Sequence, residues 1–266
     1  MINKKVSQII AKLSEDISTA LGNNLLGLYL FGSLTYGDFN KASSDIDLMA
    51  ILKEPATPLE LELLKKLHID IATHFPQWAT RIECSYTPLS MLSSKTPPLE
   101  PRPYYGENSF WPEAPYGNEW IINLYLTYNY GKTLIGPDFK SLARPIQISD
   151  VQQAAIKDLF TEWEPKLREV SWLDNSHYQS YLVVNLCRIF YTVMQTDARS
   201  KKVAADWVKI THPEWSHLIE TAQNWQYGQE MREQEKTIEF LKFVIDQIKD
   251  SSIYEKDLNR QQLIIL

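Results

Sequence analysis

An unbroken apolar run, Leu25 to Phe31, stops at Gly32-Ser33, and about a dozen residues later Asp45-Ile46-Asp47 opens a second run that reaches Leu52. Runs this short, bounded by glycine and polar turns, suit strands buried on both faces, so this part of the chain needs a sheet with cover on each side. In a strand, side chains two residues apart share a face. Asp45 and Asp47 therefore project together, while Ile46 and Leu48 point to the opposite, apolar side. Adjacent carboxylates repel unless a cation lies between them, and a hard divalent ion such as magnesium prefers oxygen ligands. A strand end with solvated aspartates needs no metal, so the pair alone leaves both readings open. Gly32-Ser33 narrows the choice. A glycine after a buried strand permits close backbone approach, and the N–H groups that follow, with the Ser33 hydroxyl, can cradle phosphate oxygens. Gly-Ser alone is only a turn; strand, Gly-Ser, spacer and Asp-x-Asp together are far more specific than either part.

The rest of the chain falls into two halves. Val6, Ile9, Ile10, Leu13, Ile17 and Leu21 predict an amphipathic helix over 5–21, and Leu63, Leu64, Leu67, Ile71 and Phe75 predict another that Pro76 closes. Thr80 to Tyr86 alternates like a strand, on which Arg81, Glu83 and Ser85 share one face. Residues 94–117 carry Pro97, Pro98, Pro101, Pro103, Pro112 and Pro115, a density that predicts a long loop instead of helix or central strand. A helix over 118–130 and a brief extended piece over 133–135 follow. Beyond residue 148 strand signals vanish: 149–170, 177–195, 201–210, 214–226 and 231–250 all read as helical, with Val183, Leu186, Cys187, Phe190 and Met194 in one buried stripe. The expected organisation is an α/β domain over 1–147 and an α-helical domain over 148–266.

Composition removes several classes of function. With 44% hydrophobic and 23% charged residues the chain is globular, not disordered. Its 27 lysines and arginines against 33 aspartates and glutamates give a net charge of −6, which repels a phosphate backbone and mildly attracts a polycationic small molecule; nucleic acid is not an expected partner. Cys84 and Cys187 stand outside any C-x-x-C, so neither a disulfide framework nor a cysteine zinc site is available, and a reducing cytoplasm suits the chain. No stretch approaches the ~18 apolar residues of a membrane span, and the N-terminus lacks a signal-peptide core, so no membrane association is expected.

Taken together, Gly32, Ser33, Gly37 and Ser44-Asp45-Ile46-Asp47 resemble the nucleotidyltransferase superfamily, whose fold is seen in polymerase beta and in antibiotic-modifying enzymes. Arg188-Ile-Phe-Tyr191 followed by Lys201-Lys-Val-Ala-Ala-Asp-Trp207 is similar to the helical domain of the aminoglycoside adenylyltransferases that modify streptomycin and spectinomycin, where an Arg-Ile-Trp-Tyr and a Lys-Asp-Val-Ala-Ala-Asp-Trp occupy corresponding places. The likeness runs from about residue 25 to 250 and is weakest across the proline-rich segment. It implies an α+β fold: a polymerase-beta-like mixed sheet flanked by helices, then an all-α bundle.

The same resemblance assigns roles. Asp45 and Asp47 take the metal-ligand positions, and Glu83 that of the catalytic base; Glu83 also fits an exposed alternate position on an edge strand. Gly32, Ser33 and Ser44 fall to the nucleotide, and Lys201 to the ATP triphosphate, although Lys201 equally fits a solvated lysine. Arg188, embedded in an apolar stripe, is expected to be paired or aimed at phosphate, since unpaired buried charge is costly. Tyr227 matches an aromatic that stacks on adenine, and fits a core tyrosine as well. Acidic residues ahead of the Arg-Ile-Trp-Tyr helix bind the drug in that family; Asp174 matches one, Tyr178 occupies the place of another, and Trp172 lies near a family tryptophan but out of register.

The implied activity is magnesium-dependent transfer of AMP from ATP to a hydroxyl of a small cationic molecule of the aminoglycoside type, with pyrophosphate leaving, in a monomer or weak dimer. Two rivals remain: a nucleotide-binding sensor of the same fold without turnover, and an enzyme that modifies a protein or tRNA. Asp45, Asp47 and Glu83 count against the first, and the net charge and lack of a basic aromatic stripe count against RNA.

Overall fold

The computed structural model describes residues 4–41, 44–226 and 228–255. The chain divides into two compact units, Met1–Ile146 and Gln147–Leu266. The first holds a six-stranded mixed sheet of β1 (Leu25–Phe31), β2 (Ile46–Leu52), β3 (Ile82–Pro88), β4 (Arg102–Gly106), β5 (Ser109–Ala114) and β6 (Lys132–Ile135), ordered β5-β4-β3-β2-β1-β6. Only the β2/β3 pair is parallel among these neighbours.

The alternation of each strand decides its faces. Leu28 and Leu30 of β1, Ile46, Leu48 and Ala50 of β2, and Ile82, Cys84 and Tyr86 of β3 share one core with α1 (Lys4–Leu21) and α3 (Pro58–His74). Helix α1 buries Val6, Ile9, Ile10, Leu13, Ile17 and Leu21, the stripe that its spacing predicts. Helix α3 starts at a capping box, in which Thr57 and Glu60 satisfy each other's backbone N–H groups and Pro58 fills a first-turn position that needs no donor. On the opposite face Tyr29, Met49 and Ile51 are also buried, with Tyr29 edge-on to Phe139 at 5.0 Å. Helix α4 (Glu119–Tyr130) also packs against β1, so the two apolar runs are covered on both sides.

Two expectations for this unit are corrected. Strand β3 starts at Ile82, because Thr80 and Arg81 close a 3-10 turn over Pro76–Arg81. The long loop over 94–117 contains the hairpin β4–β5, whose two-residue connection, Glu107-Asn108, has positive φ at both positions (47° and 60°), the twist that suits a tight hairpin. The prolines fit for identifiable reasons. Pro103 falls where the β4/β5 register shifts, between Arg102 and Tyr104, and Pro112 lies on the edge strand, so neither takes a needed donor from the ladder.

The second unit is helical: α5 (Ile148–Asp158), α6 (Ser176–Gln195), α7 (Lys201–Thr211), α8 (Ser216–Asn224) and α9 (Gln234–Lys249). The stretch expected to be helical over 149–170 is helical from Ile148 to Arg168 but changes type after Asp158, to a π-helical turn, Leu159–Trp163, and a 3-10 turn that carries Pro165, which has no N–H to continue the α ladder. Val183, Leu186, Cys187 and Phe190 are fully buried, as their spacing predicts, but Met194 is 39% exposed. Val193 takes the inward position, one short step of the 3.6-residue period from Phe190. Among the described residues no helix is long and apolar enough to cross a membrane.

Candidate active site

Strand direction brings the separated sequence features to one end of the sheet. β1 runs antiparallel to β2, so Phe31, at its C-terminal end, pairs with Asp47 at the start of β2. β3 runs parallel to β2, so its own start lies there too, and Asp47 is in register with Glu83. In-register partners project to the same face, which makes the two half-buried carboxylates lateral neighbours. Glu83 is not on an edge, because β3 lies between β2 and β4.

The bend after β1 fits against them. Gly32 adopts φ 69° and ψ −157°, a region essentially reserved to glycine, and a Cβ at this position would overlap the Asp47 carboxylate. Ser33 then opens the single turn α2 (Ser33–Tyr36), which Gly37 closes in the left-handed conformation with its N–H on the Ser33 carbonyl. The Thr35 hydroxyl donates back to the Gly32 carbonyl at 2.8 Å.

Arg81 fixes the segment that enters β2. It donates to the carbonyls of Lys41, at 3.0 Å, and Ser44, its Nε lies 3.8 Å from Asp45 Oδ1, and its guanidinium stacks 4.4 Å from the Trp78 ring. The Ser44 hydroxyl accepts from the Asn40 N–H at 2.9 Å, so the side chain closes a loop beside the aspartates.

Two residues of the hairpin also belong to this face, and their place in the proline-rich segment hid them. Tyr104, opposite Ser85 across the β3/β4 pair, turns its ring and hydroxyl over Gly106, on the face that carries Glu83; burial and that carboxylate raise the phenol's pKa far above the ordinary value. Arg102, 7% exposed, donates to Ser85 Oγ (3.2 Å) and to the carbonyls of Ala114 (3.1 Å) and Pro115, and lies over the rings of Tyr104 (4.8 Å) and Tyr116 (4.3 Å). Burial lowers its pKa, and the neighbouring tyrosines, Glu119 and Glu83 act in the opposite direction. The signal that would have found the hairpin is the aromatic pairs Tyr104-Tyr105 and Phe110-Trp111 on either side of a turn.

Asp45 and Asp47 offer hard carboxylate oxygens, and Gly32 leaves room for the Asp47 carboxylate against the bend. This suits magnesium, which takes one or two protein carboxylates and completes its shell from phosphates and water. Among the described residues no three His, Cys, Asp or Glu side chains form one metal-binding group.

The helical unit carries the other candidates. Lys201, the first residue of α7, places Nζ 4.6 Å from the Tyr181 ring. Tyr181 packs against Trp163, which packs against Trp172, which meets Tyr178, so Lys201, Trp172 and Tyr178 belong to one aromatic cluster. Asp174 accepts from Gln234 Nε2 at 3.0 Å and lines a cleft of about 500 Å3 with Gln179, Glu230, Arg232 and Glu233. Arg188 donates from Nη2 to Asn185 Oδ1 at 3.0 Å, while its buried Nε has no hydrogen-bond partner among the described residues. Tyr227 lies outside the described residues.

Comparison with known proteins gives concordant matches for the two halves. Residues 10–87 match the model of a nucleotidyltransferase domain, and residues 144–251 that of the C-terminal domain of aminoglycoside adenylyltransferase. Spectinomycin 9-adenylyltransferase of Staphylococcus aureus is 24% identical over 221 residues, 78% of this chain and 79% of the relative. The protein of that name from Campylobacter jejuni is 25% identical over 238 residues, 82% and 83% of the two chains. The crystal structure of spectinomycin adenyltransferase AAD(9) from Enterococcus faecialis with ATP and spectinomycin superposes with a TM-score of 0.73 at 21% identity, covering 92% of this chain and 99% of the other.

Proposed function

We propose that this chain is a nucleotidyltransferase of the aminoglycoside adenylyltransferase kind, which transfers AMP from ATP to a hydroxyl of spectinomycin or a similar cationic antibiotic and releases pyrophosphate. The observation that carries the reading is the in-register pairing of Asp47 with Glu83 beside the Gly32 bend. Asp45 and Asp47 would hold magnesium, which when bound stabilises charge on the attacking and leaving oxygens of the α-phosphate. Glu83 takes the proton of the acceptor hydroxyl, work that a carboxylate does only when held within hydrogen-bond reach of that proton. Gly32, Ser33 and Ser44 are assigned to the nucleotide, together with Arg188, Lys201 and Tyr227.

The acceptor falls to the helical half. Asp174 presents a carboxylate in a cleft that also carries Glu230, Glu233 and Glu235, and its two cations, Arg232 and Lys236, are already paired with Glu230 and Glu239. Such a surface favours a cationic ligand, and Trp172 and Tyr178, outside the cleft lining in the cluster with Trp163, are assigned to the same acceptor for their aromatic faces. On this reading residues 1–147 carry the metal ligands, the base and the Gly32 bend, 148–266 select the acceptor and add Arg188, Lys201 and Tyr227 to the nucleotide contacts, and the enzyme works in the cytoplasm as a monomer or weak dimer.

The test is incubation with ATP, magnesium and spectinomycin, then streptomycin, scored by mass for an AMP adduct. An adduct is expected with at least one drug, and none with either overturns the reading. Glu83→Gln is expected to lower the rate by roughly 10²-fold or more while ATP binding survives. An unchanged rate removes Glu83 as the base.

A further inference from the structure

We propose that Tyr104 and Arg102 form a positioning pair that aims the Glu83 carboxylate at the acceptor hydroxyl. The inference deepens the reading above, because it rests on Glu83 being the base.

Glu83 sits beside Asp47 on the same face of two adjacent strands, so like charges face each other wherever no cation lies between them. A glutamate has three rotatable bonds, and a strand backbone leaves more than one rotamer open to it. The Tyr104 hydroxyl makes that choice: set diagonally to Glu83 across the β3/β4 pair and turned over Gly106, it offers the carboxylate a donor for one acceptor site and leaves others for a substrate proton. The Tyr104 ring is in turn fixed on both sides, by Trp111 across the hairpin at 5.9 Å and by the Arg102 guanidinium at 4.8 Å.

Arg102 is the less expected member. A guanidinium that is 7% exposed normally meets a carboxylate, yet its hydrogen bonds go to neutral oxygens: the Ser85 hydroxyl and the carbonyls of Ala114 and Pro115. Burying a cation in this way is costly, and two features of the site offset the cost. Its planar fork binds the end of β5 to β3, and its positive field reaches Tyr104 and Glu83. The pair is therefore built into the sheet, two side chains deep, behind the base.

If Tyr104 acts through Glu83, removing its hydroxyl should matter only while Glu83 has a carboxylate to aim. The experiment is a double-mutant cycle of Tyr104→Phe and Glu83→Gln with ATP, magnesium and spectinomycin, reading kcat, both KM values and the thermal midpoint. Y104F is expected to lower kcat about tenfold to a hundredfold, the scale of a slightly misplaced catalytic group, with KM for ATP and the midpoint nearly unchanged. On the E83Q background the same change should cost nothing further. An equal kcat loss in both backgrounds, or no loss in either, overturns the proposal while leaving Glu83 as base if E83Q alone shows the roughly 10²-fold loss. E83Q at the wild-type rate instead overturns the base reading. Should Y104F fail to fold, Glu83→Asp withdraws the carboxylate by one methylene from Tyr104; a comparable fall in kcat is expected, and wild-type kcat overturns the positioning role.

Discussion

At Gly32 the backbone and the site are one object. Its dihedral angles and the Asp47 carboxylate against its Cα exclude a side chain for two separate reasons. Gly32→Ala is expected to cost on the order of 1–3 kcal/mol from backbone strain alone, and to displace Asp47, so that transfer falls far more than stability. A thermal melt and a transfer assay on one preparation check this; wild-type behaviour in both would show that the bend is not crowded. His68 is a different residue-scale case. It is 1% exposed, stacked 4.0 Å from the Tyr105 ring, with Nε2 2.7 Å from the Tyr86 hydroxyl, and burial lowers its pKa from 6.5 to about 3. The folded state keeps it neutral, whereas the unfolded chain gains its proton below pH 6.5. Its contribution is therefore complete above pH 6.5 and is lost as pH falls toward 3, by up to about 1.4 kcal/mol per unit. Denaturant titrations between pH 7 and about pH 5, above the main carboxylate range, should show the decline, and His68→Asn should flatten it. Asp47 and Glu83 could each be placed on a strand face from alternation, whereas Asp45 precedes β2, which starts at Ile46, and lies against Arg81. Arg102 and Tyr104 could not be placed, because six prolines hid the strand that carries one of them opposite Ser85.

The hairpin β4–β5 shows how an element can contradict its composition. Proline density argues correctly against a regular central strand, yet Pro103 sits at a register shift and Pro112 on an edge, the positions where a missing donor does no harm. Its turn remains strained at Glu107, a residue that rarely adopts positive φ. Glu107→Asn supplies the residue this turn prefers and should raise stability by roughly 0.5–1 kcal/mol without altering transfer, checked by denaturant midpoint and kcat. Destabilisation would mean that the Glu107 side chain has a role its exposed position hides. Helices α1, α6 and α7 follow their apolar spacing closely, whereas the helical stretch expected over 149–170 changes from α to π to 3-10 where a π-helical turn and Pro165 intervene. Periodicity identifies the buried face of a helix but is silent about the hydrogen-bond ladder along its length.

Across the whole molecule, each unit has its own core: β-sheet residues against α1 and α3 in one, and α6 surrounded by α5, α7, α8 and α9 in the other. Cores with separate contact sets respond separately. Leu186→Ala, at a fully buried position on α6, should cost about 2–5 kcal/mol, and should raise hydrogen exchange in the five helices of the second unit more than in β1 to β3. Uniform acceleration across both units would show that they unfold as one. The division into an α/β half and a helical half, the two buried strands, the Gly-Ser bend and the acidic pair were all determined by the sequence alone, because each rests on local chemistry: periodicity, the freedom of glycine and the alternation of a strand. Only the tertiary structure decided which strands are neighbours. That Glu83 falls in register with Asp47, that Tyr104 reaches it from the next strand, and that Arg102 stands behind Tyr104 all depend on pairing between segments far apart in the chain, and no local pattern encodes that register.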